Sequence, residues 1–395
     1  MTARWCVMLV AAEASGDALG AGLARALKAR LGDEVRFIGA GGRQMTEAGV
    51  ASAFDFTPLS VVGLLEGLLA FPTVLARARD LADLARRERP DVAVLIDAWG
   101  FSWFAGQRIR RALPYLPLIK YVAPQVWATR PSRARALPRL FGQVLTLHAF
   151  EPPLFERWGA KATFVGNPVL ARDLSAADPE RLRNELGITA DAPLLVVLPG
   201  SRASEVERLG PVFEDAVNRL KADRPDLQII VPAAETVAPL VKSRVAGWPH
   251  RAFVVEGEAA RFAAMRAADA ALACSGTVTT ELALAGCPMI VGYRLGHVTH
   301  FLARFIIRTP YITLVNIAAG REIAPEFIQD RCNGPALAQA LAALLDDPAA
   351  AARQVAAQNA ALDGMGRTMG DPADRAAEAV IAELGEQGLR RTPAG

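Results

Sequence analysis

Short apolar runs alternate along this chain with longer segments of helical periodicity, which is the pattern of an α/β protein. The runs predict strands at Trp5–Val10, Val35–Ile38, Val92–Ile96, Leu118–Tyr121, Val144–Leu147, Leu194–Leu198, Gln228–Val231, Phe253–Val255, Ala270–Ala273 and Met289–Val291. Between them, segments such as Leu19–Leu31 repeat leucine every fourth residue on one helical face. Continuously apolar strands separated by helices predict parallel sheets that are covered by helices on both faces.

The alternation of strands and helices pauses once, at Gly166–Pro168 and the polar stretch 173–179. We therefore expect two Rossmann-like, doubly wound domains, residues 1–168 and 176–333, with a ligand-binding cleft between them. The remaining residues, 334–395, predict alanine-rich helices. These pack on the first domain or against a second subunit of a homodimer, and the sequence does not choose between the two.

Composition narrows the class of protein. With 52% hydrophobic residues, 22% charged residues and a net charge of +3, the chain is globular and lacks the bulk positive charge of a nucleic-acid-binding protein. Its four cysteines form no CxxC pair, which favours reduced thiols in the cytoplasm. The apolar run Trp5–Ala12 is too short for a signal peptide, and no run reaches about 18 residues, so no membrane-spanning helix is expected. His297 and His300 lack neighbouring cysteines or carboxylates, so neither a metal nor another cofactor is predicted.

A buried strand ends in the turn Leu198–Arg202, with the sequence LPGSR, and leads into a helix. Gly200 allows the main chain to approach a ligand closely, and the helix N-terminus offers N–H groups to phosphate oxygens. Arg202 adds a forked cation that suits a diphosphate. The alternative is ordinary helix capping by Ser201. With Ser201 as N-cap, Glu205 stands fourth in the helix rather than third, as a capping box requires, and this favours nucleotide binding.

The stretch Cys274–Glu281 repeats this arrangement after another strand. Ser275, Gly276 and Thr277 supply hydroxyl and N–H donors at the start of a helix. One helical turn further on, the Glu281 carboxylate can accept both hydroxyls of a ribose. Capping is again the alternative. Neither turn is a Walker loop or a GxGxxG fingerprint. Two such turns in one domain predict that the bound nucleotide is the leaving group of the reaction and departs with its phosphates.

In the first half, Glu13-Ala14-Ser15-Gly16-Asp17 follows the first strand and places two carboxylates around a Ser-Gly pair. This favours a ligand site, although Asp17 can also serve only to complement the helix dipole. Asp97 ends the buried strand Val92–Ile96, where a carboxylate needs a partner or a cleft. We therefore take Asp97 as the candidate general base, with helix capping as the alternative.

The segment Leu59–Leu75 is too apolar for a simple surface helix, and Glu66 lies in its middle. It is either a core helix or an exposed apolar lip that contacts a bilayer or acyl chains. The candidate membrane contacts are Leu64, Leu65, Leu68 and Leu69. Arginines between residues 108 and 139 would attract anionic lipid headgroups or a phosphorylated substrate, and a solvated charged face is the alternative.

Taken in order, these residues resemble lipid-A-disaccharide synthase, a glycosyltransferase family of Gram-negative bacteria. The resemblance covers almost the whole chain. It rests on Glu13-Ala14-Ser15-Gly16-Asp17-x-x-Gly20, Gly63-x-x-Glu66, Ile96-Asp97, Tyr121-Val122-Ala123-Pro124-Gln125-Val126-Trp127, Leu198-Pro199-Gly200-Ser201-Arg202-x-x-Glu205, Ser275-Gly276-Thr277-x-x-x-Glu281, Pro288–Arg294 and Asn316…Pro325-Glu326-x-x-Gln329. Departures from the family pattern lie on the acceptor side, at Ala98-Trp99-Gly100, Ala123, Thr129 and Asn167, and leave the acyl-chain and acceptor preference open.

The resemblance implies a GT-B fold and transfer of 2,3-diacylglucosamine from its UDP derivative to 2,3-diacylglucosamine 1-phosphate (lipid X). The products are a β-1,6-linked disaccharide and UDP, and no metal is required. It also implies a peripheral position on the cytoplasmic face of the inner membrane. By motif, Asp97 would be the base, and UDP would be held by Gly200, Ser201, Arg202, Ser275, Gly276, Thr277, Glu281 and Asn316. The acceptor site would be lined by Glu13, Ser15, Gly16, Asp17, Glu66, Tyr121, Gln125 and Trp127.

Two other functions fit parts of the pattern. A UDP-N-acetylglucosamine 2-epimerase has a similar two-domain fold and nucleotide site, but it does not require the apolar lip. A degenerate transferase that only binds membrane lipid would be expected to have lost Arg202 or Glu281, and both are present. An NAD-dependent dehydrogenase is disfavoured because no GxGxxG is followed by an acid about 20 residues later.

Overall fold

The structure is a computed structural model that describes residues 3–54, 64–296 and 309–391, without the side chains of residues 64–70 and 387–391. The chain divides into two compact units. The first comprises Met1–Pro168 and Thr368–Gly395, and the second comprises Val169–Arg367. Each unit is built around one six-stranded sheet.

The first unit contains a parallel sheet with helices on both faces. Its strands are β1 (Trp5–Ala11), β2 (Val35–Ala40), β3 (Val92–Ile96), β4 (Leu118–Tyr121), β5 (Gln143–Thr146) and β6 (Lys161–Phe164), in the order β2-β1-β3-β4-β5-β6. The helices are α1 (Ala14–Leu31), α2 (Arg43–Glu47), α3 (Leu64–Glu88), α4 (Trp99–Ala112), α5 (Ser132–Ala136) and α6 (Pro152–Glu156).

The strand β1 shows why the sheet is covered on both faces. All seven of its residues are buried. Val7 and Leu9 share a core with helix α1, whereas Met8 and Val10 share a core with α3 and α4. Side chains alternate between the two faces of a strand, so a strand that is apolar at every position needs helices above and below it.

The second unit repeats this architecture. Its strands are β7 (Leu194–Leu198), β8 (Gln228–Ala233), β9 (Phe253–Glu256), β10 (Ala270–Ala273), β11 (Met289–Tyr293) and β12 (Glu326–Ile328), all parallel. They lie in the order β12-β11-β10-β7-β8-β9, which is the order of dinucleotide-binding folds. The helices are α7 (Pro179–Leu186), α8 (Ala203–Asp223), α9 (Ala238–Val245), α10 (Glu258–Ala267), α11 (Thr277–Leu284), α12 (Leu314–Ala319), α13 (Gly334–Asp346) and α14 (Pro348–Gly364).

The C-terminal helices do not form one segment, contrary to the prediction for residues 334–395. Helices α13 and α14 belong to the second unit, and α13 packs on α8. The last helix, α15 (Pro372–Arg391), returns to the first unit and packs against α1. Its Ala376 and Val380 join the core that holds Leu27 of α1.

The predicted fold class is confirmed, and each of the ten predicted strands is observed with ends within two residues of the prediction. The prediction missed β6 and β12, which are two of the four edge strands. Lys161–Phe164 is partly exposed and Glu326–Ile328 has three residues, so neither produces an apolar run. Among the described helices, none has both the length and the apolar character needed to cross a bilayer.

Candidate active site

The two turns expected to bind a nucleotide follow neighbouring strands of the second sheet. The β7–β10 register places Leu198 beside Ala273, and the Cys274 N–H donates to the Leu198 carbonyl at 2.9 Å. The strand order changes direction at this point, since β8 lies on one side of β7 and β10 on the other. Ligands of doubly wound sheets bind at such a switch point, outside the carboxyl ends of the strands.

A cavity of about 260 Å³ lies at this switch point. It is lined by Leu198, Gly200, Ser201, Arg202, Glu205, Pro232, Ala234, Arg261, Cys274, Ser275, Gly276, Thr277, Val278 and Glu281. The structure therefore brings together every residue predicted to bind UDP except Asn316. Guanidinium groups, hydroxyls and a helix N-terminus are the groups that bind a nucleoside diphosphate in proteins.

The LPGSR turn is closed by Glu205. The N-cap of α8 is Arg202 rather than Ser201, so Glu205 stands at the third helical position. Its Oε2 accepts the main-chain N–H groups of Ser201 at 3.1 Å and Arg202 at 3.3 Å. Glu205 therefore caps the start of α8 from the third helical position, and the inference that its spacing from Ser201 favours ligand binding over capping is wrong. Gly200 has a φ of 135°, and a Cβ at this position would come within 2.5 Å of the Glu205 Cβ, so the turn requires glycine.

Arg202 and Ser275 stand on the two turns that line the cavity. The Arg202 guanidinium pairs with Glu205 at 2.8 Å, and its side chain is 68% exposed. Because a guanidinium carries five N–H donors, this contact leaves donors for a ligand. The Ser275 hydroxyl donates to the Ile312 carbonyl at 3.1 Å and so connects its turn to the loop before α12. Gly276 and Thr277 are exposed at the start of α11.

Glu281 is buried on α11 and forms two ion pairs. Its Oε1 lies 3.4 Å from Arg261 Nη2 and also accepts a short hydrogen bond from Arg172 Nη1. The two guanidiniums lie over the ring of Phe262, at 5.9 Å for Arg172 and 5.1 Å for Arg261. Neither arginine was predicted from the sequence. Arg261 also lines the cavity and places a second guanidinium there.

Asn316 has a structural role that the sequence did not predict. It is fully buried, its Oδ1 accepts the N–H groups of Ile323 and Ala324, and its Nδ2 donates to the Ala324 carbonyl and to Glu326. Glu326 in turn accepts the N–H groups of Ile312 and Thr313. Asn316 therefore holds the loop that contacts Ser275, and we remove it from the proposed UDP contacts.

A second switch point lies between β1 and β3 of the first sheet. Here the Ser15 hydroxyl donates to Asp97 Oδ2 at 2.8 Å, which joins the two segments predicted to form the acceptor site. Asp97 and Ala98 have φ angles of 52° and 38°, a left-handed conformation that such residues rarely adopt outside functional or strongly held sites. Burial, and next the charge of Asp97, raise the pKa of Glu13. Gly16 lies against β1 and β3, where an added Cβ would come within 3.2 Å of the Ala11 Cβ.

Asp17 stabilises a neighbouring loop rather than its own helix. Its buried carboxylate accepts the N–H groups of Gly42 at 2.7 Å, Gln44 at 3.0 Å and Met45 at 3.0 Å. These groups stand at the start of α2, so Asp17 caps that helix. We correct its assignment from an acceptor contact to a structural residue.

Two consecutive residues of β4 are almost completely buried. Tyr121 is 1% exposed and lies in the core beneath α1 and α15, where burial raises its pKa. It is a core residue, contrary to its predicted place in the acceptor site. Lys120 is also 1% exposed, and its Nζ donates a short hydrogen bond to the Asp97 carbonyl. Lys120 was not predicted from the sequence, because a lysine is typically found at the protein surface.

Trp127 belongs to an aromatic and acidic cluster behind the loop that follows β4. Its Nε1 donates to Glu151 at 3.1 Å, and its ring meets the rings of Phe150 and His148 edge-on at 5.5 and 6.2 Å. Burial raises the pKa of Glu151 to about 7, although N–H donors from Trp127 and the main chain act against it. Gln125, in the same loop, is exposed. Sequence spacing gives no signal for this cluster.

The apolar segment is described only in part. Helix α3 begins at its Leu64. The predicted membrane contacts Leu64, Leu65, Leu68 and Leu69 and the predicted acceptor residue Glu66 have side chains outside the described residues. His297 and His300 lie outside the described residues altogether. The next side chain along α3, Phe71, is 42% exposed and contacts Phe104 of α4 edge-on at 5.3 Å.

Comparison with known proteins decides the family. The family model for lipid-A-disaccharide synthetase matches residues 7–380. The chain is 43% identical over 375 residues to the lipid-A-disaccharide synthase of Rhodospirillum centenum, covering 95% of this chain and 94% of that protein. It is 42% identical over 378 residues to the enzyme of Paramagnetospirillum magneticum, covering 95% and 96%. The chain belongs to this family. The predicted family, the function in lipid A biosynthesis and the enzyme class, a UDP-sugar-dependent glycosyltransferase, are therefore confirmed.

Solved structures share the family's fold at low identity. The glycotransferase of kitacinnamycin aligns with a TM-score of 0.63 and 18% identity, covering 96% of this chain and 99% of that one. The UDP-GlcNAc 2-epimerase from Neisseria meningitidis bound to UDP-GlcNAc aligns with a TM-score of 0.59 and 12% identity, covering 96% and 100%. These likenesses show a common two-domain α/β fold. Family membership at about 40% identity decides against the epimerase alternative.

Proposed function

We propose that this chain transfers 2,3-diacylglucosamine from UDP-2,3-diacylglucosamine to the 6-hydroxyl of lipid X, giving a β-1,6-linked disaccharide and UDP. The observation that supports the proposal most directly is that each of the two sheets has candidate site residues at its switch point. The second sheet presents phosphate-binding groups at its switch point, and the first sheet presents the Asp97 carboxylate at its own. Membership of the lipid-A-disaccharide synthetase family supports the same substrates.

The second unit binds the UDP moiety of the donor. Arg202 and Arg261 supply positive charge to the diphosphate, and the N-terminus of α11 supplies main-chain N–H groups. These groups stabilise the negative charge that develops on UDP as its bond to the sugar breaks. Both ion pairs of Glu281 use Oε1, so its Oε2 can accept the ribose hydroxyls.

The first unit supplies the base. The Asp97 carboxylate takes the proton of the acceptor 6-hydroxyl while the hydroxyl oxygen attacks the anomeric carbon of the donor sugar. The bond between that carbon and the UDP oxygen breaks, and UDP leaves with the electron pair. Attack from the opposite side inverts the anomeric centre. Ser15 holds Asp97 Oδ2 at 2.8 Å and so fixes the orientation of the carboxylate.

The enzyme works at the cytoplasmic face of the inner membrane, as a peripheral protein, because both substrates carry acyl chains. Support comes from the exposed ring of Phe71 and from α4, where Trp99 and Trp103 stack at 5.3 Å and Arg133 lies over Trp99 at 5.4 Å. Aromatic rings beside arginine are typical of surfaces that meet anionic lipid. The homodimer is kept as a prediction that sedimentation of the purified protein tests.

The test is incubation of the purified protein with both lipids in detergent. We expect a disaccharide in the mass spectrum with a β-1,6 linkage by NMR. The exposed-arginine variant Arg219→Ala, on α8 but outside the cavity, should retain this activity. UDP release without a disaccharide would point to another acceptor and contradict the proposal.

A further inference from the structure

A buried lysine lies close to the carboxylates of Asp97 and Glu13, at the switch point of the first sheet. Lys120 is 1% exposed at the centre of the sheet, between β3 and β5. Its Nζ lies 3.3 Å from the Leu95 carbonyl, 3.2 Å from the Tyr121 carbonyl and 3.3 Å from the Ser102 hydroxyl, and it makes a short hydrogen bond to the Asp97 carbonyl. A buried ammonium group is costly unless it is surrounded by acceptors, so this arrangement is specific.

Two of the acceptors of Lys120, the carbonyls of Asp97 and Tyr121, lie at strand ends where the main chain adopts the left-handed conformation. Asp97 and Ala98, after β3, and Val122, after β4, all have positive φ angles. For a β-branched residue such as Val122 this conformation is a clear outlier, and it persists where surrounding contacts hold it. Lys120 contacts the carbonyl before Val122 and the carbonyl of Asp97, so one side chain fastens both strand ends. The Ser102 hydroxyl adds a bond to the same Asp97 carbonyl at 2.7 Å.

The ammonium group also acts on the carboxylates by its charge. Burial lowers the pKa of Lys120 to about 7, while Asp97 and Glu13 act in the opposite direction. In return, Lys120 lowers the pKa of Glu13, against the larger effects of burial and of Asp97. Asp97, from the end of β3, and Glu13, from the start of α1, are the charged groups that face Lys120 among the described residues.

We infer that Lys120 is a positioning residue for the transfer reaction, which fixes the Asp97–Ala98 turn by its hydrogen bonds and places a positive charge beside the Asp97 and Glu13 carboxylates. A base must be correctly oriented before it can accept a proton, and Lys120 serves this requirement without contacting substrate. The inference rests on the proposed role of Asp97 as the base. A lysine that only satisfied carbonyls of the core would affect folding but not the reaction in folded molecules.

The test compares Lys120→Met, Lys120→Arg and the control Gln143→Met. Gln143 is also buried, begins the adjacent strand β5, and donates to Thr163 away from the carboxylates. Per folded molecule, Lys120→Met should lower kcat by at least about tenfold while KM for the UDP-sugar stays within roughly twofold. Lys120→Arg should restore part of the loss. A wild-type kcat in Lys120→Met, or an equal loss in Gln143→Met, would overturn the inference.

A second measurement separates this inference from the proposed function. Carbon-13 NMR of the Glu13 carboxyl follows its titration whether or not the protein is active. We expect the titration midpoint of Glu13 to rise in Lys120→Met and to stay unchanged in Gln143→Met. If wild-type protein forms no disaccharide, the proposed function fails. If the Glu13 midpoint does not move, the electrostatic role of Lys120 fails.

Discussion

The carboxylate of Glu205 accepts the main-chain N–H of Ser201 at 3.1 Å and pairs with the guanidinium of Arg202 at 2.8 Å. One acid therefore closes the LPGSR turn and orients the cation that faces the cavity. The turn therefore needs an acid at the third position of α8. It also needs glycine at position 200, because a Cβ there would clash with Glu205.

Replacing Glu205 with alanine should therefore affect both folding and binding. We expect the free energy of unfolding to fall by about 1 kcal/mol, as for the loss of a helix cap. We also expect UDP to bind several-fold more weakly, because Arg202 loses its orienting partner. Urea unfolding and calorimetric titration with UDP measure the two effects. Glu205→Gln still accepts the N–H groups and should lie closer to wild type in stability, so equal stability loss in both variants would argue against the cap.

Arg202→Ala should weaken UDP binding sharply, and by more than its effect on the free energy of unfolding can account for. Loss of a charge-assisted contact to a diphosphate corresponds to about 1.5–3 kcal/mol, or roughly 10- to 100-fold in Kd. The matched control is Arg219→Ala on the same helix, where the guanidinium pairs with Asp215 at 3.0 Å. If both variants bound UDP as wild type does, the site assignment would be wrong.

Asp97→Asn should lower turnover while leaving donor binding largely intact. Loss of a general base corresponds to about a hundredfold or more in kcat. The control Asp91→Asn changes an acid at the opposite end of the same strand, where it accepts the Cys6 N–H at 2.7 Å. That variant should lose stability but keep its activity per folded molecule. Parallel loss of UDP affinity and turnover in Asp97→Asn would mark Asp97 as structural.

Glu151 should make folding stability depend on pH. Its pKa is raised from 4.5 to about 7, mainly by burial, so the folded state holds a proton that the unfolded chain releases. Its contribution to stability is therefore present below pH 4.5 and is lost as the pH rises to about 7. Burial lowers the pKa of His148 to about 4. This residue therefore makes the folding stability rise with pH over part of the same range. The difference between wild type and Glu151→Gln isolates the carboxyl.

We expect Glu151→Gln to gain stability relative to wild type by on the order of 2 kcal/mol between pH 4.5 and pH 7. Urea unfolding at a series of pH values measures this difference. A constant difference across that range would show that Glu151 titrates in the folded protein as it does in the unfolded chain.

Charged substitutions at Leu64 and Leu68 test the membrane proposal. We expect Leu64→Glu with Leu68→Glu to reduce binding to vesicles that contain anionic lipid by about tenfold or more, since each buried leucine contributes roughly 1.5–3 kcal/mol. Ala352→Glu, on an exposed position of α14, is the matched control. Unchanged vesicle flotation of the double variant would place these leucines in the protein core.

Much of the fold follows from the sequence because β1, β3, β7 and β10 are buried along their whole length and therefore apolar throughout. Glycine and hydroxyl residues after β1, β7 and β10 predicted ligand sites at the ends of these strands, and the structure has its two switch points there. The N-cap of α8 was misplaced by one residue, because the extended φ and ψ of Arg202, −118° and 142°, decide it and the sequence does not.

Side chains brought together by tertiary packing could not be predicted. Arg261 and Arg172 lie 20 and 109 residues from Glu281 along the chain, yet both reach its carboxylate. The family motifs also did not separate contact residues from structural ones. Asp17, Tyr121 and Asn316 stand within those motifs, but their hydrogen bonds and burial serve neighbouring loops and the core.

The central claim is that this protein couples release of UDP to glycosylation of lipid X. The most direct measurement is the ratio of UDP to disaccharide formed from UDP-2,3-diacylglucosamine, with and without lipid X. We predict one UDP for each disaccharide, with the formation of both products depending on lipid X. Release of UDP at the same rate without lipid X, or consumption of the donor without any disaccharide, would contradict it.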